Sequence, residues 1–153
     1  VVTMIELIEH VPNPDYFLET ASSLLRPGGL LFITTPNTKS INQRFLGAKW
    51  SIISPPEHIT IWSPAGMRKA LKRNGFTLNK IKTEGFNPIE ILQQRKSKAT
   101  EQTPSISRND AAFALNEAFT KSSWKRAIKT SVNQGLSLFR IGDTLKVWAI
   151  KNV

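Results

Sequence analysis

The 153-residue sequence contains no cysteine and no long apolar run. Without cysteine the chain has neither a disulfide framework nor a thiolate nucleophile, and we expect it to work in a reducing compartment such as the cytoplasm. No segment approaches the roughly 20 apolar residues that a membrane-spanning helix requires. Apolar residues nevertheless make up 40% of the sequence, which is enough for an ordinary folded core.

Acidic residues are scarce in the second part of the chain. Residues 1–60 hold 4 basic and 5 acidic residues, whereas residues 61–153 hold 17 basic and 6 acidic ones, and the formal net charge is +10. A basic surface can attract nucleic acid or anionic lipid. The excess can also mean that an acidic partner region is absent from this chain, and both interpretations stay open at this point.

The first 37 residues predict a strand, a helix and a second strand. The apolar run Val1–Ile5 is typical of a strand covered on both faces. Asn13 or Asp15 can cap a helix that has a proline in its first turn, and Pro27-Gly28-Gly29 ends this helix. The run Leu30–Thr34 follows directly, so the pattern predicts a right-handed βαβ unit with parallel strands.

Further elements are predicted along the rest of the chain. A helix is expected from Ser63-Pro64 to Asn74-Gly75, followed by a strand over Phe76–Glu84. Residues 93–108 are polar and predict a flexible segment. Apolar spacings of three and four predict helices within 109–140, inserted before a closing strand at Thr144–Ile150.

Three motifs in the first half carry a resemblance to a known family. They are Glu9-His10-Val11-Pro12-Asn13-Pro14, Leu25-Arg26-Pro27-Gly28-Gly29 and Thr34-Thr35-Pro36-Asn37. This stretch resembles the second half of class I S-adenosylmethionine-dependent methyltransferases. Glu57–Phe76 is similar to the helix before the family's sixth strand, and Gly142–Lys151 to its antiparallel seventh strand. The resemblance covers about residues 1–90 and 136–151 and leaves the basic segment between them unassigned.

The resemblance implies an α/β fold and a partial Rossmann-like sheet. The chain would be a single partial domain over 1–153, with strands four to seven, the last of them antiparallel, and without the N-terminal cofactor-binding half. In the family a glycine-rich turn and an acidic residue in that half hold the cofactor. No two of the 8 glycines here stand in a G-x-G arrangement. We therefore expect the isolated chain to bind S-adenosylmethionine weakly and to be inactive alone.

Within this family the likeness is strongest to the ubiquinone-biosynthesis O-methyltransferases. Their fourth strand carries V-V-T-x-x-E-x-x-E-H-V, which is matched by Val1–Val11, and Ile81–Pro88 is loosely similar to the segment after their sixth strand. The resemblance implies methylation of an oxygen on a small acceptor, such as a quinone precursor or a catechol-like molecule. A relative that acts on a different hydroxyl, amine or carboxylate would look much the same.

The resemblance also suggests roles for residues at the end of the first strand. Ile5, with its neighbours Met4 and Glu6, would contact the cofactor. Glu6, Glu9 and His10 match an E-x-x-E-H group that some members use to hold a divalent cation such as Mg²⁺ near the substrate oxygens. In the alternative, without a metal, Glu6 points to solvent or cofactor, and Glu9 and His10 hydrogen-bond to the loop backbone.

A second histidine lies in the loop expected to roof the substrate pocket. His58 is a candidate general base for the acceptor proton, alongside His10, or it holds the shape of the loop through a hydrogen bond. Trp50 and Trp62 flank the same loop and would either line an aromatic substrate pocket or pack beneath the lid.

Two other functions compete with a small-molecule methyltransferase. The chain could be a non-catalytic module that uses its basic C-terminal face to dock on an anionic surface, including a peripheral contact with a membrane. An RNA methyltransferase is disfavoured, because the basic residues are not interleaved with aromatic residues in a stacking arrangement.

Overall fold

The computed structural model describes residues 1–97 and 123–153. Within these ranges the chain forms one four-stranded sheet with helices packed against it. The elements in chain order are β1 (Val2–Ile5), α1 (Pro14–Leu24), β2 (Leu30–Pro36), α2 (Ile41–Leu46), a short 3₁₀ turn (Gly47–Lys49), α3 (Pro64–Arg73), β3 (Phe76–Glu84), α4 (Pro88–Ser97), α5 (Ser123–Phe139) and β4 (Thr144–Lys151).

The strand order in the sheet is β1-β2-β4-β3. Strands β1 and β2 are parallel, as the predicted βαβ unit requires. The closing strand β4 inserts antiparallel between β2 and β3. The predicted α/β class and the antiparallel last strand are therefore confirmed, and the carboxyl ends of β1 and β2 meet at one edge of the sheet.

Helix boundaries follow the capping signals in the sequence. The side chain of Asn13 accepts a hydrogen bond from the backbone N–H of Tyr16 at 3.3 Å, so Asn13 rather than Asp15 caps α1. Asp15 lies in the first turn instead and forms a bidentate ion pair with Arg73. Ser63 caps α3 by accepting from the backbone N–H of Gly66 at 3.0 Å. These caps fix the two helices that cover the sheet next to the site.

The hydrophobic core lies between the sheet and helices α1 and α3. It is built from alternate residues of the two central strands and from one face of each helix. Its fully buried members include Leu31, Ile33, Leu145, Val147, Leu18, Met67 and Leu71. This core holds β1 and β2 rigidly, and the loops that follow them are therefore positioned by a fixed scaffold.

The basic part of the chain is described only in part. Residues 93–97, the start of the predicted flexible segment, continue α4 to its end at Ser97. The rest of that segment and the first part of the predicted helical insertion lie outside the described residues. The last part of the insertion forms the 17-residue helix α5. None of the helices in the described ranges is long and apolar enough to cross a membrane.

Candidate active site

The candidate site lies where β1 and β2 end and where a long loop returns over them. The backbone N–H groups of Ile59 and Thr60 both donate to the carbonyl oxygen of Glu9, at 2.9 and 3.0 Å. These two bonds hold the loop of residues 50–62 against the turn that follows β1. Loops at the carboxyl ends of parallel strands are the usual place for ligand sites in α/β proteins.

Glu6 forms a strained turn directly after β1. Its φ angle is +46°, a left-handed conformation that few residues other than glycine adopt. The turn is held by the backbone N–H of Glu6, which donates to the carbonyl oxygen of Thr34 at 3.0 Å and to its hydroxyl at 3.2 Å. The Glu6 side chain is exposed. Strain of this kind is retained where the surrounding structure fixes it, and it is common at functional sites.

Glu9 is a fully buried carboxyl group with only part of its hydrogen-bonding capacity used. The hydroxyl of Thr35 donates to its Oε2 atom at 3.0 Å, and Oε1 is buried without a partner among the described residues. Burial raises the pKa of this carboxyl, and the negative charge of nearby Glu6 raises it further, against hydrogen bonds from the backbone and from Thr35 that lower it.

The two histidines of the chain meet above Glu9. Their ring centroids are 4.7 Å apart, with the planes tilted by 36°. Nδ1 of His10 lies 2.7 Å from the carbonyl oxygen of Glu57, and Nδ1 of His58 lies 2.6 Å from that of Ile52. A carbonyl oxygen only accepts, so both Nδ1 atoms carry the hydrogen in these bonds. In the neutral rings, both Nε2 atoms are therefore lone-pair sites that can accept a proton or a metal ion.

Glu9, His10 and His58 form a potential ligand cluster. Their ligand atoms all lie within 4.8 Å of one another. Of the predicted metal set, Glu9 and His10 are in this cluster, but Glu6 is not, and His58 takes the third place. The loop thus brings together two residues that follow β1 and one histidine that is distant in the sequence.

The other predicted contacts differ in accessibility. The Ile5 side chain is 62% exposed at the end of β1, next to the exposed Glu6, whereas Met4 is 5% exposed and packs in the core. Trp50 and Trp62 are both buried, and Trp62 belongs to the core, which agrees with packing beneath the loop. Ile5 and Glu6 are therefore the members of the predicted cofactor set whose side chains a ligand can reach.

Thr35 is a site residue that the sequence reasoning did not single out. It stands in the Thr34-Thr35-Pro36-Asn37 motif, which was used only to recognise the end of the second strand. Its side chain is completely buried against Glu9. The available signal was a hydroxyl side chain near the carboxyl end of the second predicted strand, the same edge of the sheet where the turn with Glu9 lies.

The chain matches the family model described as "Methyltransferase domain" over residues 1–81, which is more than half of its length. Ubiquinone biosynthesis O-methyltransferase from Marinobacter nauticus is 32% identical over 95 residues, covering 58% of this chain and 40% of that protein. The same-named protein from Parvibaculum lavamentivorans is 33% identical over 101 residues, covering 58% and 38%. The chain thus spans about two fifths of the length of the curated relatives it matches.

Two solved structures share the fold at low sequence identity. A SAM-dependent methyltransferase from Thermotoga maritima superposes with a TM-score of 0.54 at 14% identity, covering 98% of this chain and 54% of that one. A SAM-dependent methyltransferase from Archaeoglobus fulgidus gives 0.51 at 20% identity, covering 98% and 58%. At these identities the likeness shows the fold alone, whereas the family model covers both the turn after β1 and the loop of residues 50–62, which together form the site. The chain therefore belongs to the methyltransferase domain family, whose cofactor is S-adenosylmethionine.

Proposed function

We propose that this chain forms the acceptor side of an S-adenosylmethionine-dependent O-methyltransferase that acts on a small hydroxylated aromatic molecule, such as a catechol-like compound or a quinone precursor. The observation that carries the proposal is the pair of Nε2 lone pairs of His10 and His58 beside the buried carboxyl of Glu9. The O-methyltransferase names of the curated relatives support the choice of oxygen as the acceptor atom.

The cofactor supplies an electrophilic methyl group, and the acceptor must supply an electron pair on oxygen. A phenolic hydroxyl has a pKa near 10, so it is a weak nucleophile until its proton is removed. His58 and His10 offer Nε2 atoms that can accept this proton. The bonds from their Nδ1 atoms to Ile52 and Glu57 hold the rings in orientation. His58 is half-buried in the loop that closes the site, so we assign it the role of general base and leave His10 as its partner.

Ile5 and Glu6 are the residues that we propose contact the cofactor. S-adenosylmethionine carries an adenine ring together with cationic sulfonium and ammonium groups. An exposed apolar side chain next to an exposed carboxylate suits a ligand of this kind. Because no G-x-G turn is present, we propose that the chain alone holds the cofactor weakly and is inactive by itself. Calorimetric titration of the 153-residue chain with S-adenosylmethionine tests this, and micromolar binding would overturn it.

We also propose a second state of this site, in which Glu9, His10 and His58 hold a divalent cation. Coordination uses the same Nε2 lone pair of His58 that accepts a proton, so in this state His58 is a ligand and not the general base. Oε1 of Glu9 is buried and has no hydrogen-bond partner among the described residues, which fits a site for a positively charged ligand. Two imidazoles and one carboxylate suit Zn²⁺ or Mn²⁺ better than Mg²⁺, which prefers oxygen ligands. A bound ion would stabilise the deprotonated acceptor oxygen. Glu6 would stay outside this set.

The experiment that tests the reaction uses the protein encoded by the complete reading frame that contains this chain. It is incubated with methyl-labelled S-adenosylmethionine and, separately, with a catechol, a primary amine and a carboxylic acid. We expect label on the catechol oxygen. Label on the amine alone would contradict the proposal. Cofactor binding without transfer to any of the three would favour the non-catalytic module.

A further inference from the structure

The outer edge of the sheet carries an open groove with a positively charged lining. The groove runs along β3 beside α3 and the end of α5 and has a volume of about 580 Å³. Among the lining residues that the structure describes, four are cationic and none is acidic. We call it the basic groove and define it by Arg68, Lys72, Lys80 and Arg140, all of which are exposed.

The four cations come from three separate parts of the chain. Arg68 and Lys72 are four residues apart on α3 and therefore lie on one face of that helix. Lys80 follows an irregularity in β3, and its ammonium lies 5.7 Å from the centre of the Trp148 ring. Arg140 follows directly after α5 and has a left-handed conformation with a φ angle of +56°. Like charges gathered in this way repel one another, so the groove favours an anionic occupant.

Exposed apolar side chains border the groove at Arg140. Leu138 and Phe139, the two residues before it, are 77% and 71% exposed, and Val132 on the same helix is 49% exposed. The other side of α5 packs on β3, where Thr83 donates to the carbonyl oxygen of Leu136 at 2.8 Å. Large apolar groups next to a cluster of cations form the surface pattern of proteins that lie on anionic membranes.

Protection of an edge strand explains only part of this pattern. A lysine such as Lys80 on an exposed edge discourages pairing with another chain. That need does not account for Arg68 and Lys72 on a helix, nor for the exposed Leu138. Nucleic acid would use the cations and could stack on Phe139, but it gains nothing from an exposed leucine and valine. A bilayer uses both kinds of group.

We propose that the basic groove and the adjoining side chains of Leu138 and Phe139 dock the protein on a bilayer that is rich in anionic phospholipid. The cations lie against lipid phosphates, and the two apolar side chains enter the headgroup region. Strands β4 and β2 separate this surface from β1, a distance of about 14 Å at the usual strand spacing. Docking here leaves the turn after β1 uncovered by the bilayer.

Vesicle flotation of the 153-residue chain tests the proposal. Vesicles of phosphatidylcholine alone are compared with vesicles that contain about 30% phosphatidylglycerol, at low and at high salt. We expect binding to the anionic vesicles only, weakened by salt. Each cation near an anionic membrane increases the partition coefficient about fivefold. The double variant Arg68→Ser, Lys72→Ser should therefore have a partition coefficient about 25-fold lower than that of the unaltered chain. Leu138→Ser, Phe139→Ser should weaken binding at low salt and abolish the part that survives high salt.

A matched control keeps the result specific to this surface. Arg26→Ser, Lys49→Ser removes two exposed cations outside the groove and should partition within about twofold of the unaltered chain. Circular dichroism verifies that every variant folds. Equal loss in the control and in Arg68→Ser, Lys72→Ser would overturn the proposal, as would equal binding to neutral vesicles. Tighter binding of a single-stranded RNA oligonucleotide, with displacement of the vesicles, would identify a nucleic-acid surface and would also overturn it.

Discussion

The imidazole rings of His10 and His58 stand 4.7 Å apart, one in the turn after β1 and the other in the loop that returns over it. Each ring donates from Nδ1 to a backbone carbonyl oxygen of the loop, at 2.7 and 2.6 Å. The bond from His10 fastens the loop to the turn after β1, the bond from His58 holds the loop's own shape, and the two rings present their Nε2 atoms beside Glu9. This dual role connects the stability of the loop with the chemistry of the site.

The first prediction concerns the buried charge of Glu9. Its pKa is raised in the folded protein, mainly by burial, so the folded state favours the protonated carboxyl. The associated stability is present below the unfolded pKa and is lost as the pH rises through the folded pKa. Glu9→Gln should therefore melt at a higher temperature than the unaltered chain at pH 8, and the difference should vanish at acid pH. Thermal unfolding in the presence of a chelator measures this, and a pH-independent difference would contradict it.

The second prediction distinguishes the ligand set found in the structure, which contains His58, from the set predicted from the sequence, which contains Glu6 instead. Calorimetric titration measures the affinity for Zn²⁺, and we expect it to fall in His10→Ala and in His58→Ala. Loss of a group that only supports a ligand typically lowers metal affinity by about 10–100-fold, so loss of a ligand itself should lower it by at least that much. Glu6→Gln should stay within about threefold of the unaltered chain, because Glu6 lies outside the cluster. Equal losses for Glu6→Gln and His10→Ala, with none for His58→Ala, would favour the Glu6, Glu9 and His10 set instead.

The third prediction concerns the hydroxyl that supports Glu9. Thr35→Val keeps the shape of the side chain but removes the hydrogen bond to Oε2, the one side-chain hydrogen bond that the buried carboxyl accepts among the described residues. We expect a loss of about 1–3 kcal/mol in the free energy of unfolding, measured with urea at neutral pH. Thr77→Val removes an exposed hydroxyl contact with Asn152 and should change stability by no more than about 0.5 kcal/mol. Equal losses in both variants would count against a special role for Thr35.

The fourth prediction compares two glycines near the end of the chain. An added Cβ at Gly142 would lie 2.6 Å from the backbone nitrogen of Glu84, whereas one at Gly135 would meet no atom of the described residues within 4 Å. Gly142→Ala should therefore destabilise the fold by about 1–3 kcal/mol, because the backbone of β3 must move. Gly135→Ala, inside α5, should stabilise it by about 0.5–1 kcal/mol. Urea unfolding of both variants measures this, and a neutral Gly142→Ala would mean that β3 and the turn before β4 are not closely packed.

The local elements of the fold were readable from the sequence. Short-range signals decide them: the cap at Asn13, the stop at Pro27-Gly28-Gly29, and the cap and proline at Ser63-Pro64 predicted α1 and α3 within a few residues. The parallel pairing of β1 and β2 followed from the helix between them. Such signals act within one or two turns of chain, so they are visible without a structure.

Only some of the residues in the candidate site could be predicted from the sequence. Glu9 and His10 are adjacent in the sequence and were predicted to share one metal-ligand set with Glu6, whereas His58 was predicted to lie over the substrate pocket as a candidate base and not in that set. His58 comes close to Glu9 and His10 because the backbone N–H groups of Ile59 and Thr60 donate to the carbonyl oxygen of Glu9. These contacts join residues about 50 positions apart, so no local sequence pattern predicts them. The burial of Met4 and the exposure of Ile5 also depend on which face of β1 the core covers.

The most direct test of the central claim measures methyl transfer to a catechol by the protein encoded by the complete reading frame, with and without His58. We predict that His58→Ala lowers kcat/KM by about 10²–10⁴-fold and that added imidazole partly restores it, because a missing proton acceptor can be supplied from solution. Glu57→Gln, which keeps the carbonyl oxygen that His10 contacts, should react at the unaltered rate. A His58→Ala protein as fast as the unaltered one, or a loss that imidazole does not repair, would contradict the account.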